Sequence, residues 1–277
     1  MNIKIVADSS SDILNSDYEL YESAPLKIIT NEKEFTDNKD LNVEEMVNFL
    51  RNYKGKSSTS CPNVNDWLDC FGDAKRIFCV TITSSLSGSY NSAVMAKTAY
   101  EETYPDRKVY VFDSLSTGPE MALIIDKFKE LIVSGVEFEE ACEQIEVYSK
   151  STGLIFMLES MRNLANNGRV SPLTAKMAGV LGIRVVGKAS DKGELETLNK
   201  SRGEAKALGF ISDLLKKEGV NKGKIKITHC LNKEGAISLQ NLIKQKMPQT
   251  KIEIYESRGL CSFYAEKGGM IIGYERI

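Results

Sequence analysis

The chain has 277 residues, of which 42% are hydrophobic and 27% charged, so it is long enough for one large domain or two ordinary domains with a normal core. Its formal net charge of −2 excludes a bulk attraction to nucleic acid or to anionic lipid. Because the opening MNIKIVADSSSD lacks the apolar run of a signal peptide, and no stretch approaches the roughly 18 apolar residues of a membrane span, we expect a cytoplasmic protein with no integral membrane segment.

Apolar strand patterns alternate with helical patterns through the first half of the chain. The predicted strands are Ile3–Ala7, Leu26–Ile29, Ile77–Ile82 and Lys108–Phe112. The predicted helices are Val43–Leu50, Asn63–Phe71 with Asn63 as its N-cap, Ser87–Tyr100 and Met121–Val133. This alternation predicts an α/β fold with a mostly parallel sheet that helices cover on both faces.

The later part of the chain is less regular. We predict helices over Glu137–Tyr148, Met161–Asn166, Ala205–Leu215 and Ala236–Lys246. Apolar runs that predict strands are Leu154–Leu158, Ile183–Val186, Lys224–Thr228, Lys251–Tyr255 and Gly268–Gly273. We place a domain boundary near residues 149–153. It separates an N-terminal α/β domain (1–150) from a second, smaller α/β domain (151–277) with a mixed sheet.

Three serine-rich loops each follow a predicted strand. They are the first serine loop (residues 8–12, DSSSD), the second (83–89, TSSLSGS) and the third (113–118, DSLSTG). Ligands of α/β sheets bind beyond the carboxyl ends of the strands, where helix N-termini and hydroxyl groups favour an anion. Ser, Thr and Asp are also ordinary helix caps, so one such loop alone says little.

Together the three loops predict a shared site for a small anionic ligand. Because carboxylates repel an anion, we expect the acidic residues of the first and third loops to support those loops and not to contact the ligand. The residues assigned to this support are Asp8, Ser9, Asp113 and Ser114.

The sequence lacks the motifs of several kinds of enzyme site. The sequence has no G-x-S-x-G elbow, no phosphate loop and no G-x-G-x-x-G after a strand. A Ser-His-Asp triad would have to use His229, the single histidine. The six cysteines form no C-x-x-C pair, so we expect reduced, buried thiols and neither a metal nor a cofactor.

As a set, several short motifs resemble those of the DegV family. Besides the first serine loop, they are residues 59–62 (TSCP), 84–90 (SSLSGSY) with Ser92 and Ala93, Asp113-Ser114, Leu164 with 168–170 (GRV), and Arg202. They occur in the family's order and span nearly the whole chain. The resemblance implies two α/β domains that hold a long-chain fatty acid between them. It also implies a non-enzymatic subunit of bacterial fatty acid kinase, which presents the acyl carboxylate to a separate kinase subunit for acyl-phosphate formation.

The resemblance also implies residue roles. Thr59 and a serine of the second loop, preferably Ser84 with Ser87 as the other candidate, would hydrogen-bond the carboxylate, and Arg169 would lie near the mouth of its pocket. One position departs from the family: Tyr264 stands where a histidine is usual. A tyrosine hydroxyl can still donate to a carboxylate, but it carries no positive charge near neutral pH.

A fatty acid in such a site would be held mainly by its tail. Burying a tail of about 16 carbons is worth on the order of 12 kcal/mol before ordering costs. Apolar residues that could line a tunnel, or could simply fill a core, are Leu154, Ile155, Phe156, Met157, Leu158, Met177, Val180 and Leu181.

Two rival functions use the same loops. One is a phosphotransferase or hydrolase acting on a small anionic substrate, with Asp8 or Asp113 as its base. The other is a lipid-sensing regulatory module whose output is contact with a partner.

Overall fold

The computed structural model of the chain describes residues 3–172 and 182–276. Its strands are β1 (Ile3–Asp8), β2 (Tyr21–Ala24), β3 (Lys27–Thr30), β4 (Glu34–Thr36), β5 (Ser57–Ser60), β6 (Arg76–Thr81), β7 (Lys108–Asp113), β8 (Thr152–Leu158), β9 (Ile183–Ala189), β10 (Leu195–Arg202), β11 (Lys224–His229), β12 (Lys251–Glu256) and β13 (Met270–Glu275). Its helices are α1 (Val43–Asn52), α2 (Val64–Phe71), α3 (Ser89–Thr103), α4 (Gly118–Val133), α5 (Phe138–Ser149), α6 (Arg162–Asn166), α7 (Glu204–Lys217), α8 (Lys233–Lys246) and α9 (Gly259–Ala265).

A four-stranded parallel sheet in the order β2-β1-β6-β7 forms the first layer, as the alternation of strands and helices predicted. Side chains of a strand alternate between its faces. Ile5 of β1 and Phe78 of β6 accordingly pack against α4 and α5. Val6 and Cys79, one residue further along, pack against α2 and α3. The sheet is therefore covered on both faces.

A small antiparallel sheet, β4-β3-β5, is an addition to the predicted fold. The hydroxyl-rich residues 57–60, for which no strand was predicted, form β5 and pair with β3, with Thr59 opposite Ile28. The N-cap of α2 is Asn63, as predicted, and Asn63 and Asp66 form a capping box.

The third sheet is mixed, with the order β10-β9-β8-β13-β11-β12. Only β11 and β12 run parallel; the other neighbours are antiparallel. One face packs against α7 and α8, and the opposite face packs against α1 and α9. This confirms the mixed sheet that was predicted for the later part of the chain.

The last strand of the parallel sheet ends at Asp113 and the first strand of the mixed sheet begins at Thr152, with α4 contacting both sheets. The domain boundary near residue 150 stays a prediction. Within the residues that the structure describes, no helix is both long and apolar enough to cross a membrane.

Candidate ligand-binding site

A cavity of about 270 Å³ lies between the mixed sheet, α9 and the loops that follow β6 and β7. Most of its lining is apolar. The lining residues with hydroxyl or charged groups belong mainly to β5, the second and third serine loops and the β9–β10 connection; they are Thr59, Ser60, Thr83, Ser87, Ser116, Thr117, Arg169, Glu194 and Tyr264. No residue of the first serine loop lines the cavity. The cavity therefore combines an apolar wall with a group of hydroxyls.

Strand β8 supplies much of the apolar wall. Leu154, Phe156 and Leu158 line the cavity. Ile155 and Met157 point to the opposite face, where they pack in the core beneath α7 and α8. Alternate residues of the predicted apolar run therefore face opposite sides of the sheet, as in any β-strand. The other three residues of that prediction, Met177, Val180 and Leu181, lie outside the described residues.

Two hydroxyls from distant parts of the chain meet in the wall of the cavity. The Thr59 Oγ1 and Tyr264 OH atoms are 2.8 Å apart, although 205 positions separate them in sequence. Burial raises the pKa of the Tyr264 phenol, and the bond to Thr59 only partly offsets this effect. Tyr264 is therefore neutral near neutral pH and can act as a hydrogen-bond donor.

Arg169 lies beside this pair. Its guanidinium carbon is 6.0 Å from the centre of the Tyr264 ring. Its Nε donates to the Leu86 carbonyl at 3.1 Å, and its Nη1 donates to the Asn167 carbonyl. These bonds hold the guanidinium against the second serine loop and bring a positive charge to the cavity wall.

The two serines proposed for the carboxylate differ in position. Ser87 lines the cavity. Ser84 is exposed and is not among the lining residues, and its backbone N–H donates to Asp113 Oδ1 at 3.1 Å. The structure therefore brings Thr59, Ser87, Arg169 and Tyr264 together at one cavity and leaves Ser84 outside it.

The four residues assigned to loop support all bond within the protein, and none lines the cavity. Asp8 accepts hydrogen bonds from the Ile82 N–H at 2.9 Å and the Ser89 hydroxyl at 2.6 Å, which tie the first serine loop to the second. Burial raises the pKa of the Asp8 carboxyl, and these bonds act in the opposite direction.

The other three support residues also bond to backbone groups. The Ser9 hydroxyl accepts from the Leu26 N–H at 3.0 Å, and Asp113 accepts from the Leu115 N–H at 3.1 Å. The Ser114 hydroxyl donates to the Ser116 carbonyl at 3.1 Å.

A hairpin tip (residues 190–194) between β9 and β10 forms part of the wall that the sequence reasoning missed. Gly193 has a φ of +73°, and its carbonyl accepts from the Thr83 hydroxyl at 3.0 Å. The Ser85 hydroxyl donates to the Lys192 carbonyl at 2.5 Å. The turn residues S-D-K-G between two extended stretches were a usable hairpin signal.

The groups on which an enzyme would depend lie elsewhere or are already bonded. His229 is buried and is not a lining residue, and both predicted bases accept backbone N–H groups. Cys61 and Cys261 line the cavity, but burial raises the pKa of both thiols. Among residues 3–172 and 182–276, no group of three or more His, Cys, Asp or Glu could hold a metal ion.

Comparison with known proteins identifies the family of this chain. The family model described as "Uncharacterised protein, DegV family" matches residues 2–276. A DegV domain-containing protein of Streptococcus pneumoniae is 41% identical over 282 residues, which cover 99% of each chain.

Two solved structures are similar over their whole length. A DegV family protein from Eubacterium eligens, loaded with heptadecanoic acid, is 42% identical with a TM-score of 0.97, covering 99% of this chain and 100% of that one. The fatty acid kinase B3 protein of Streptococcus pneumoniae, loaded with linoleic acid, is 41% identical with a TM-score of 0.98 and full coverage of both chains. The chain belongs to the DegV family, as its motifs predicted.

Proposed function

We propose that the chain binds a long-chain fatty acid in the cavity. The observation that carries the proposal is the pairing of an apolar wall on β8 with the hydroxyl pair of Thr59 and Tyr264, because an amphiphile needs both in one cavity. The similar proteins that carry heptadecanoic acid and linoleic acid support the same ligand class.

The carboxylate would lie beside the Thr59–Tyr264 pair. Within that pair one hydroxyl donates to the other, so one member of the pair and Ser87 are available as neutral donors, and Arg169 supplies a positive charge. The tail would run along Phe156 and the other cavity-facing residues of β8. Because each buried CH₂ contributes about 0.8 kcal/mol, the tail would dominate affinity and the hydroxyls would set orientation.

We further propose that the bound carboxylate is presented to a separate kinase subunit. The support is the name of a similar protein, the fatty acid kinase B3 protein of Streptococcus pneumoniae. A cytoplasmic location fits this role, and the six free cysteines support it because disulfides form in oxidising compartments.

The test of binding is native mass spectrometry of the purified chain, followed by titration with palmitate and oleate. We expect a copurifying fatty acid, or uptake of one equivalent after delipidation. A chain that carries no lipid and takes up neither acid would disprove the proposal.

A matched pair of variants tests the head-group contacts. Ser87→Ala should weaken palmitate binding by about tenfold through loss of one hydrogen bond, whereas Ser84→Ala should change it less than about twofold. The opposite order would assign the contact to Ser84, the residue that the family resemblance favoured.

A further inference from the structure

The N-terminus of α9 is held by two buried carboxylates from the other end of the chain. Asp37, which is fully buried, accepts from the Gly259 N–H at 2.7 Å through Oδ1 and from the Leu260 N–H at 2.9 Å through Oδ2. Asp12 accepts from the Arg258 N–H at 2.7 Å. Three consecutive backbone donors are thereby satisfied by side chains more than 200 positions away.

The contact between Asp37 and α9 leaves no room for a side chain at position 259 unless the side chains of Asp37 and Leu41 shift. A Cβ on Gly259 would lie 2.7 Å from the Asp37 carboxyl and 2.6 Å from Leu41. The Arg258 guanidinium adds a further bond to the Asn38 carbonyl at 2.7 Å. Residues 37–41 therefore fix the start of α9 both by hydrogen bonds and by shape.

Asp37 is itself tied to the small antiparallel sheet. Its backbone N–H donates to the Leu26 carbonyl at 2.8 Å, immediately before β3. Strand β3 pairs with β5, in which Thr59 stands opposite Ile28. One residue thus connects the sheet that carries Thr59 to the helix that carries Tyr264.

Helix α9 is short and contributes Leu260, Cys261, Tyr264 and Ala265 to the cavity wall. Backbone hydrogen bonds join the turns of this seven-residue helix, so we expect a shift at its first residue to be passed on to Tyr264, five positions later. The 2.8 Å contact between Thr59 and Tyr264 depends on where that first residue is held.

We infer that Asp37 is a positioning residue, which acts through α9 to set the Tyr264 hydroxyl against Thr59 and so forms the head-group end of the cavity. This inference rests on the proposed fatty-acid site for its effect on binding. The placement of Tyr264 by Asp37 can be measured without any ligand.

The ligand-free measurement uses protein labelled with ¹³C in its tyrosine rings. The Tyr264 signal is the one that disappears in Tyr264→Phe. Asp37→Asn keeps the shape of the side chain but loses one of two acceptor oxygens, so we expect it to shift the Tyr264 signal. Tyr100→Phe is the matched control, because it removes bonds from a buried hydroxyl to the Gly72 and Ala74 carbonyls, far from the cavity lining.

The binding measurement is a double-mutant cycle. Asp37→Asn and Tyr264→Phe should each weaken palmitate binding by about tenfold, and the double variant should also be about tenfold weaker rather than about hundredfold. Tyr100→Phe should change affinity less than about twofold. Losses that multiply in the double variant would overturn the inference, as would a Tyr264 signal that Asp37→Asn leaves in place.

Gly259→Ala provides a second route if Asp37→Asn does not fold, as judged by circular dichroism. Its added methyl would lie 2.7 Å from the Asp37 carboxyl, so it should displace that contact and shift the same Tyr264 signal. An unmoved signal would overturn the inference. If the unaltered chain takes up no fatty acid, the proposed function fails, and the ring signals still decide whether Asp37 positions Tyr264.

Discussion

Replacing Gly193 by alanine tests the contact between the hairpin tip and the second serine loop. Gly193 has a φ of +73°, a conformation that costs a residue with a side chain about 1–2 kcal/mol. The new Cβ would lie 2.1 Å from the Thr83 hydroxyl and 3.0 Å from the Leu115 backbone. Because the Leu115 backbone blocks one side, the Thr83 hydroxyl must move away.

That movement breaks the bond from Thr83 to the Gly193 carbonyl, which is worth about 1 kcal/mol. Together with the backbone term, we expect a loss of about 2–3 kcal/mol in the free energy of unfolding. Gly135→Ala is the matched control, since Gly135 has a φ of +75° and nothing within 4 Å of the added Cβ. It should lose only the backbone term of about 1–2 kcal/mol.

The assay is urea denaturation of both variants, with retention of a fluorescent fatty acid measured in parallel. We expect Gly193→Ala alone to release the lipid faster, because residues 193–195 form part of the cavity wall. If Gly193→Ala were as stable as Gly135→Ala and retained lipid like the unaltered chain, the reasoning about this contact would be wrong.

Three further outcomes follow from the site and its supports. Phe156→Ala should shift binding toward longer fatty acids, whereas Ile155→Ala should cost about 2–5 kcal/mol of stability without changing that preference; competition with saturated acids of increasing length would decide. Tyr264→Phe should weaken palmitate binding by about tenfold, measured by calorimetry, and an unchanged affinity would contradict its role as a donor. Burial raises the pKa of Asp12 from 3.8 to about 7, so the folded chain holds this proton more tightly than the unfolded chain does. The contribution of Asp12 to the free energy of unfolding therefore falls as pH rises from about 4 to about 7. Asp12→Asn keeps an acceptor for the Arg258 N–H and should flatten that slope in thermal melts across this pH range, and an unchanged slope would refute the assignment.

Strands β1, β6 and β7 of the parallel sheet were predictable because they read as largely apolar runs between helices. Strand β2 of the same sheet was missed, because YESA is buried only at its two ends and shows no apolar run. Strand β10 was missed for the opposite reason: in LETLNKSR only Ser201 is buried, so the edge strand shows no apolar pattern. Strand β5 was missed because its serines and threonine suit a turn as well as a strand. Its pairing with β3 makes the segment a strand and not a turn, and that contact cannot be read from the local sequence.

The candidate site was predictable in kind but not in detail. Serine-rich loops after strands indicated the edge of the sheet beside which the cavity lies, although the first of the three loops does not line it, and the family resemblance indicated Thr59. Neither could separate Ser84 from Ser87, because both stand in one run of hydroxyls and only the path of the loop decides which one reaches the cavity. The role of Asp37 left no local trace, since its partners lie 222 and 223 positions away.

The contacts of Asp12 and Asp37 with the start of α9 also bear on when the site can form during synthesis. A ribosome makes the chain from its N-terminus, so Asp12, Asp37 and Thr59 emerge long before Gly259 and Tyr264. The parallel sheet and its helices can assemble early from nearby segments, but contacts of such sequence separation form late. Until α9 has left the ribosome, a nascent chain lacks this part of the cavity wall. Under the proposed function, a fatty acid would therefore be taken up only after these late residues have been made.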